Sequence, residues 1–292
     1  MSELNKEIKE EITPTMDIDS SEFEYVGRDL EKSEEIGRPS ISFWQDSFGR
    51  LKRDKSAIVF MVILAVIALC AIFIPMFFPY TSSEQHTWHV NMGPLFSGDG
   101  CFHLFGTDYL GRDLFVRIWE GGRISLIIAF VTVLVNCLIG VVYGGISGYF
   151  GGIVDNIMMR IVEVVNGIPY LMIVILLMTV MEPGMTTIII AMVSVGWVGM
   201  ARLVRGEVIR LKEQEYVIAA KSMGCSASRI IAKHLFPNLL SIIIVNLTLA
   251  IPSAIFTEAF LSFIGLGIPV PGASWGTLAQ DGITNFRYLI QN

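Results

Sequence analysis

The sequence predicts an all-α integral membrane protein, a bundle of helices that each cross the bilayer. Only 16% of its 292 residues are charged, whereas soluble proteins average about 25%. Long runs without a charged residue recur, and the first of them, at 56–78, reaches about 35 Å as a helix, enough for a hydrocarbon layer of about 30 Å. Five spans are therefore predicted, near residues 56–78, 124–148, 160–181, 186–206 and 239–263.

The N-terminal part of the chain carries most of its negative charge. Residues 1–50 hold 13 Asp and Glu against 6 Lys and Arg, and the remaining residues hold 14 against 15. We expect residues 1–50 to be an acidic cytoplasmic tail, which leads through an interfacial segment at 41–55 into a transmembrane domain over 51–292. The absence of a basic face argues against nucleic-acid binding, and the apolar body argues against a soluble enzyme.

Basic residues in the connections orient the spans. Four Lys and Arg lie within residues 50–55, just before the first span, and residues 202–233 carry seven basic residues against three Glu. Residues 79–123 instead carry five acidic and three basic residues. If the spans alternate, both basic segments lie on the same side, which the positive-inside rule assigns to the cytoplasm. The N-terminus is thus expected to be cytoplasmic, with the first span as an uncleaved anchor.

The apolar stretch 259–280 is interrupted by glycine and proline. It contains six such residues, so we expect a loop on the outer face rather than a helix. After it, only residues 286–292 offer another helical start, and seven residues are too few to cross a bilayer. The expectation is therefore five complete spans with the C-terminus outside.

Motifs for catalysis and for cofactor binding are absent from the sequence. It contains no GxxxxGK[ST], no GxSxG and no HExxH. We therefore predict no catalytic residue, no cofactor and no metal site. His86 and His89, with His103 and Asp108 nearby, could form an external metal site, but spacing alone favours ordinary loop histidines. The four cysteines do not suggest a disulfide framework.

The charged loop between the fourth and fifth spans, at about 207–238, carries the most informative pattern. It predicts a short helix that stops at Gly224, followed by a second helix that ends at Pro237. Ala219 and Ala220 give the first helix a small, flat surface, which suits docking into a partner's groove. From the residues alone, an ordinary amphipathic surface helix is an equal alternative.

Glu258 is the sole formal charge from Leu235 to Gln280 and lies near the outer end of the fifth span. A carboxylate within a membrane is a candidate for function, here contact with a transported substrate. The structural alternative is that it caps loop amides or pairs with a neighbouring subunit. We favour the structural alternative.

The loop motif and four further segments resemble one transporter family. Ala219-Ala220-x-x-x-Gly224, with Pro237 thirteen residues on, is similar to the coupling-loop motif of ATP-binding-cassette (ABC) importer permeases, which is EAA, three residues, Gly, nine residues and I-x-L-P. The segments that agree with the oligopeptide/dipeptide/nickel branch are FGTDYLGRDLF at 105–115, DNIMMR at 155–160, EAFLSFIGLG at 258–267 and PGASWG at 271–276. Over about residues 38–292, the chain looks like the second permease subunit of an oligopeptide importer, with the type I importer fold.

Two features depart from the family pattern. The position of the motif's Glu holds Ile218, with Glu215 three residues earlier. Family members also have a sixth span and a cytoplasmic C-terminus, whereas this sequence stops where that helix is expected to begin. A sixth span is therefore expected to be cut off.

The resemblance implies a multi-pass subunit of a prokaryotic cell membrane that forms half of a translocation path. It implies no cofactor and no enzymatic activity in this chain. The implied partners are a homologous second permease subunit, two cytoplasmic ABC ATPases and an extracytoplasmic peptide-binding protein. Alternatives are a dipeptide, nickel or other small-solute permease of the same architecture, a non-transporting membrane scaffold and a secondary carrier.

The resemblance also implies roles for individual residues. Those assigned to the ATPase-coupling loop are Glu215, Tyr216, Ala219, Ala220, Gly224, Arg229 and Pro237. Asp108, Arg112 and Asp113 are expected to fold the segment before the second span, in an architectural or gating role. Glu258 is assigned to the same gating or structural group.

Overall fold

A computed structural model describes residues 43–98 and 101–291. The described residues are mostly helical and divide into two compact units, with the boundary between Phe60 and Met61. Most of the predicted acidic tail, up to residue 42, lies outside the described residues.

The first unit contains helix α1 (Phe43–Arg53) and the start of helix α2 (Lys55–Phe77). The last turn of α1 carries three basic residues, where the negative end of the helix dipole favours positive charge. The Asp54 carboxylate accepts the Ala57 N–H at 3.1 Å and so caps the first turn of α2.

The described part of the chain contains up to five apolar spans, as predicted. In chain order they are α2, helix α3 (Leu114–Phe150), the bent pair α4 (Gly152–Gly167) and α5 (Tyr170–Val180), helix α6 (Met185–Leu211) and the 40-residue helical stretch Ala227–Leu266. The predicted class, a helical membrane bundle, is confirmed.

The third span, predicted near residues 160–181, is sharply bent. Helices α4 and α5 meet at an angle of 78°. Pro169 has no N–H to continue α4, and its ring disfavours the helical conformation at Ile168, which is extended with φ −86° and ψ 125°. The chain therefore turns sharply inside an apolar run that hydropathy alone treats as straight.

Helices α3 and α6 form the most extensive helix–helix contact of the described chain. On α3, the contact is lined by three glycines spaced four residues apart, Gly140, Gly144 and Gly148. A Cβ atom on Gly144 would lie 2.3 Å from the carbonyl oxygen of Ala201 on α6. Only glycine permits this approach, and small residues at such spacing are a common means of helix packing in membranes.

The loop before the fifth span and the span itself are helical almost throughout. In chain order they contain helix α7 (Glu215–Ser222), the short helix α8 (Ala227–Arg229), a π-helical segment Ile230–Leu235, helix α9 (Phe236–Leu261) and a second π-helical segment Ser262–Leu266. The Phe236 N–H bonds the carbonyl of Ile231, five residues back. This shift of register accommodates Pro237, which has no N–H, so the prediction that Pro237 ends a helix is wrong.

The apolar stretch 259–280 is a loop only in its middle. The π-helical segment extends to Leu266, although Gly265 within it has a left-handed backbone with φ +87°, and helix α10 (Trp275–Gln291) begins well before the predicted start at 286. A Cβ atom on Gly276 would lie 2.4 Å from the Ala259 carbonyl oxygen. Gly276 thus serves the close packing of α10 on α9 rather than breaking a helix, which is why its presence was misleading.

Residues 78–113, called here the α2–α3 segment, contain a small β-hairpin that an all-α prediction misses. Strands β1 (Phe96–Gly98) and β2 (Cys101–His103) pair antiparallel, with Phe96 opposite His103 and Gly98 opposite Cys101. Three-residue strands are too short to show an alternating hydrophobic pattern.

Candidate functional site

Helix α7 has well-defined ends. Glu215 lies in its first turn and Lys221 in its last, where each charge complements the helix dipole. At the C-terminal end, Gly224 has φ +79°, its N–H bonds the Lys221 carbonyl at 3.0 Å, and the Cys225 N–H bonds the Ala220 carbonyl at 3.1 Å. These two bonds form a Schellman motif, which needs a left-handed residue and therefore favours glycine.

The two alanines of the coupling motif face different sides of α7. Ala220 is only 2% exposed and packs with Val217 into a core cluster that includes Val208 of α6 and Leu239 of α9. Ala219 is exposed. Successive helical residues differ in direction by about 100°, so the two cannot share one face. The expected flat surface of paired alanines is thus wrong for Ala220, which is a core residue.

The exposed side of α7 and its C-terminal turn forms a continuous surface, called here the α7 outer face. Its members follow helical spacing and are Glu215, Ile218, Ala219, Ser222 and Met223. Ile218 is 53% exposed and Met223 is 77% exposed. Apolar side chains grouped on one exposed face of a loop helix are typical of a protein-binding surface.

The other predicted coupling residues lie outside this face and are Tyr216, Arg229 and Pro237. The Tyr216 hydroxyl accepts a hydrogen bond from the Asn238 side-chain amide at 3.2 Å, and the same amide bonds the His234 carbonyl at 2.7 Å. These bonds tie α7 to the start of α9. Arg229 and Pro237 are exposed.

A cavity of about 470 Å³ lies between α3, α5, α6 and α9. Its polar lining is made of neutral groups, from Thr132, Asn136, Tyr170, Asn246, Ser253 and Thr257. Among the described residues, none of Asp, Glu, Lys or Arg lines it. Thr132 Oγ1, Asn136 Oδ1 and Tyr170 OH have no hydrogen-bond partner in the described part of the chain. The cavity therefore offers hydrogen bonds without fixed charge.

Asp108, Arg112 and Asp113 are buried in the α2–α3 segment. The Asp108 carboxylate accepts the Arg112 Nε–H at 2.7 Å, and Arg117 Nε lies 3.6 Å from the same oxygen. Asp113 caps α3, since its carboxylate accepts the Val116 N–H at 2.9 Å. All three have local partners, and their architectural or gating role stays a prediction.

Backbone geometry in the same segment requires glycine. Gly111 has φ +73°, and a Cβ atom there would lie 2.1 Å from the carbonyl oxygen of His86. Nearby, burial raises the pKa of the Tyr80 hydroxyl, which accepts the Phe102 N–H at 3.0 Å. The segment is thus a folded unit held by specific contacts.

Glu258 is fully buried and joins three helices. Its carboxylate oxygens accept hydrogen bonds from Ser125 of α3 and from Ser262, each at 2.7 Å. Ser125 Oγ also accepts the N–H of Trp275 at the start of α10, at 3.2 Å. Among the described residues, the partners of Glu258 are serine hydroxyls rather than loop amides, and its pairing with a neighbouring subunit stays a prediction.

A Glu258→Gln substitution is expected to destabilise the fold by about 1–3 kcal/mol, because a carboxamide NH2 would replace one acceptor and leave a buried hydroxyl unpaired. The thermal unfolding of the purified chain in detergent measures the effect. Glu163→Gln is the control, since Glu163 forms an exposed pair with Arg160 at 2.6 Å, and such pairs contribute at most about 1 kcal/mol. Equal unfolding midpoints for the two variants would contradict the structural role of Glu258.

An ion pair inside the bundle was missed by the sequence analysis. The Asp155 carboxylate of α4 accepts two hydrogen bonds from the Arg205 guanidinium of α6, each at 2.5 Å, and one from Ser147 of α3. Asp155 and Arg205 are 50 residues apart, so no local pattern joins them. The sequence offered one weak indication of this pair. Asp155 and Arg205 carry opposite charges beside apolar spans, and charged side chains in a membrane protein tend to pair with one another.

Comparison with protein families gives two matches. Residues 140–289 match the family described as "Binding-protein-dependent transport system inner membrane component". Residues 42–94 match the "N-terminal TM domain of oligopeptide transport permease C". The matched ranges contain α7, most of the cavity-lining residues and much of the α2–α3 segment.

Curated relatives cover most of the chain. The dipeptide transport system permease protein DppC of Bacillus subtilis is 50% identical over 86% of this chain and 77% of its own length. The oligopeptide transport system permease protein OppC of the same organism is 47% identical, over 91% and 86%. OppC of Haemophilus influenzae is 39% identical, over 92% and 85%. A solved chain of the MetNI methionine ABC transporter is 20% identical, with a TM-score of 0.42 over 59% of this chain and 90% of its own.

Proposed function

This chain belongs to the family of binding-protein-dependent transport system inner membrane components, and we propose on that premise that it is a permease subunit of an ATP-driven peptide importer. Its relatives are named as oligopeptide and dipeptide transport permeases. In this proposal the chain forms half of the translocation path and does not itself hydrolyse ATP.

The observation that carries the proposal is the uncharged polar cavity. A peptide that leaves water needs partners for its amide groups, because each buried polar group left unpaired costs about 1–3 kcal/mol. Asn136 and Asn246 offer both hydrogen-bond donors and acceptors. Because the described lining carries no fixed charge, the cavity does not favour peptides with acidic side chains over peptides with basic ones, or the reverse. A nickel path would favour imidazole or carboxylate ligands, and neither group is among the cavity-lining residues of the described chain.

The distribution of charge supports an orientation with the N-terminus in the cytoplasm. Seven basic residues within 202–233 support a cytoplasmic position for α7, and in this orientation the α2–α3 segment lies outside. The proposed partners follow from these positions. They are two ABC ATPases at α7, an extracytoplasmic peptide-binding protein on the opposite side and a homologous permease beside the cavity, all in a prokaryotic cell membrane.

The packing of α7 supports a path from the ATPases to the cavity. Val217 and Ala220 lie in the same core cluster as Cys137 of α3, and Cys137 also lines the cavity. Close-packed clusters transmit displacement rather than absorb it. Movement of α7 with a closing ATPase pair would thus shift α3 and α6 and change access to the cavity.

Reconstitution in proteoliposomes tests the proposal. The chain, combined with a homologous permease, two ATPases and a binding protein, is expected to accumulate peptide only when ATP and the binding protein are both present. Omission of either component is the control. Uptake driven by an ion gradient with this chain alone would establish a secondary carrier, and ATP-driven uptake of Ni²⁺ without uptake of peptide would establish a metal permease.

A further inference from the structure

A cluster of metal-ligating side chains lies in the α2–α3 segment, apart from the cavity and from α7. One ring nitrogen each of His86 and His89 and the sulfur of Cys101 lie within 4.8 Å of one another. Two local structures bring them together. A turn in which the His89 N–H bonds the His86 carbonyl at 2.8 Å places the two histidines, and the β1–β2 hairpin places Cys101.

A third imidazole, that of His103, lies beside the cluster. Its ring centroid is 5.8 Å from the centroids of both His86 and His89, and the residue is fully buried. His103 Nδ1 donates to the Asp113 carboxylate at 2.8 Å, while Nε2 has no hydrogen-bond partner in the described part of the chain. A carboxylate that holds Nδ1–H leaves a lone pair on Nε2, as in many metal-binding histidines.

We propose that His86, His89, Cys101 and His103 bind one divalent transition-metal ion, with Zn²⁺ preferred. Three imidazoles and one thiolate form a donor set that suits tetrahedral Zn²⁺. Zn–N bonds of about 2.0 Å and a Zn–S bond of about 2.3 Å set the ligand atoms about 3.5 Å apart. The three ligand atoms of His86, His89 and Cys101 would therefore move together by about 1 Å on binding, and His103 Nε2, which lies outside that three-residue cluster, would approach it as the fourth ligand.

The Cys101 thiol is suited to this role. Cys101 forms no disulfide, and the Tyr80 hydroxyl lies near its sulfur. A phenolic O–H that donates to a thiolate orients it, and such outer hydrogen bonds strengthen metal sites by about 10- to 100-fold. Because Asp113 both holds His103 and caps α3, the ion would fasten the hairpin to the start of α3.

Cobalt substitution of the assembled permease–ATPase complex tests the site. After treatment with a chelator, the complex is titrated with Co²⁺ and then with Zn²⁺. We expect one Co²⁺ per copy of this chain, with a thiolate-to-cobalt charge-transfer band that Zn²⁺ abolishes. Cys101→Ser is expected to lose the band. His86→Gln is expected to weaken Co²⁺ binding by about 100-fold or more, which exceeds the loss of about 10- to 100-fold expected when only a residue that hydrogen-bonds a metal ligand is removed.

Cys70→Ser is the matched control, since Cys70 lies in α2, outside the cluster. It is expected to keep the band. Zn²⁺ is expected to raise the thermal unfolding midpoint of the wild type and of Cys70→Ser but not that of Cys101→Ser, and the metal-free midpoints identify any variant that fails to fold. Binding of less than about 0.1 ion per chain, or a band that survives in a folded Cys101→Ser variant, would overturn the proposal.

Discussion

An Ile218→Asp variant is expected to insert and fold like the wild type but to lose its ATPase subunits. Ile218 is 53% exposed on the α7 outer face and makes no contribution to the core cluster beneath α7. If the ATPase covers this face, the new carboxylate is buried without a partner, at a cost of several kcal/mol. A loss of about 2 kcal/mol already weakens binding about 30-fold.

The measurement is the ratio of ATPase to permease after affinity purification, followed by ATP-driven uptake in proteoliposomes. Ser228→Asp is the matched control, because Ser228 is also exposed in the same loop but lies outside the α7 outer face. It adds the same charge and is expected to keep the normal ratio. An Ile218→Asp complex with the wild-type ATPase content would show that the ATPases dock elsewhere.

Hydropathy predicts the spans because the preference for lipid over water belongs to each side chain and does not depend on its contacts in the folded protein. All five predicted spans overlap observed helices. Errors arise where tertiary contacts decide the outcome. Gly276 suggests a helix break in the sequence, yet it lies inside α10. The residue is glycine there because the Ala259 carbonyl approaches it too closely for a side chain. Likewise Pro237 lies inside a helix because the preceding π-helical turn accommodates it.

The site residues show the same difference between features that depend on the local sequence and features that depend on distant contacts. The stop at Gly224 is local, so the sequence predicts it from glycine's left-handed preference. The inward position of Ala220 was also predictable, since Val217 lies one turn earlier on the same side of α7. The serine partners of Glu258 were not predictable, because Ser125 is 133 residues away in the chain. Nor was the approach of Cys101 to His86 and His89, which depends on a hairpin without a sequence pattern.

The second large effect is expected at the contact between α3 and α6, where neighbouring glycines should respond in opposite directions. Gly144 faces α6, and a Cβ atom there would lie 2.3 Å from the Ala201 carbonyl oxygen and 3.0 Å from the Arg205 backbone nitrogen. Gly145 follows on the same helix, and a Cβ atom there has no atom within 4 Å. Both residues lie inside α3, so the higher helix propensity of alanine should favour folding by the same amount at each position, about 0.8–1.0 kcal/mol.

Gly145→Ala is therefore expected to stabilise the chain by up to about 1 kcal/mol. Gly144→Ala is expected to destabilise it by about 1–3 kcal/mol, because the added methyl group forces the two backbones apart, and a membrane helix pair depends on close packing for its attraction. Thermal or denaturant unfolding of the purified chain in detergent compares the two. If Gly144→Ala matches Gly145→Ala, the close approach of α3 to α6 does not stabilise the bundle. The route proposed from α7 through these helices to the cavity would then lose its rigid connection.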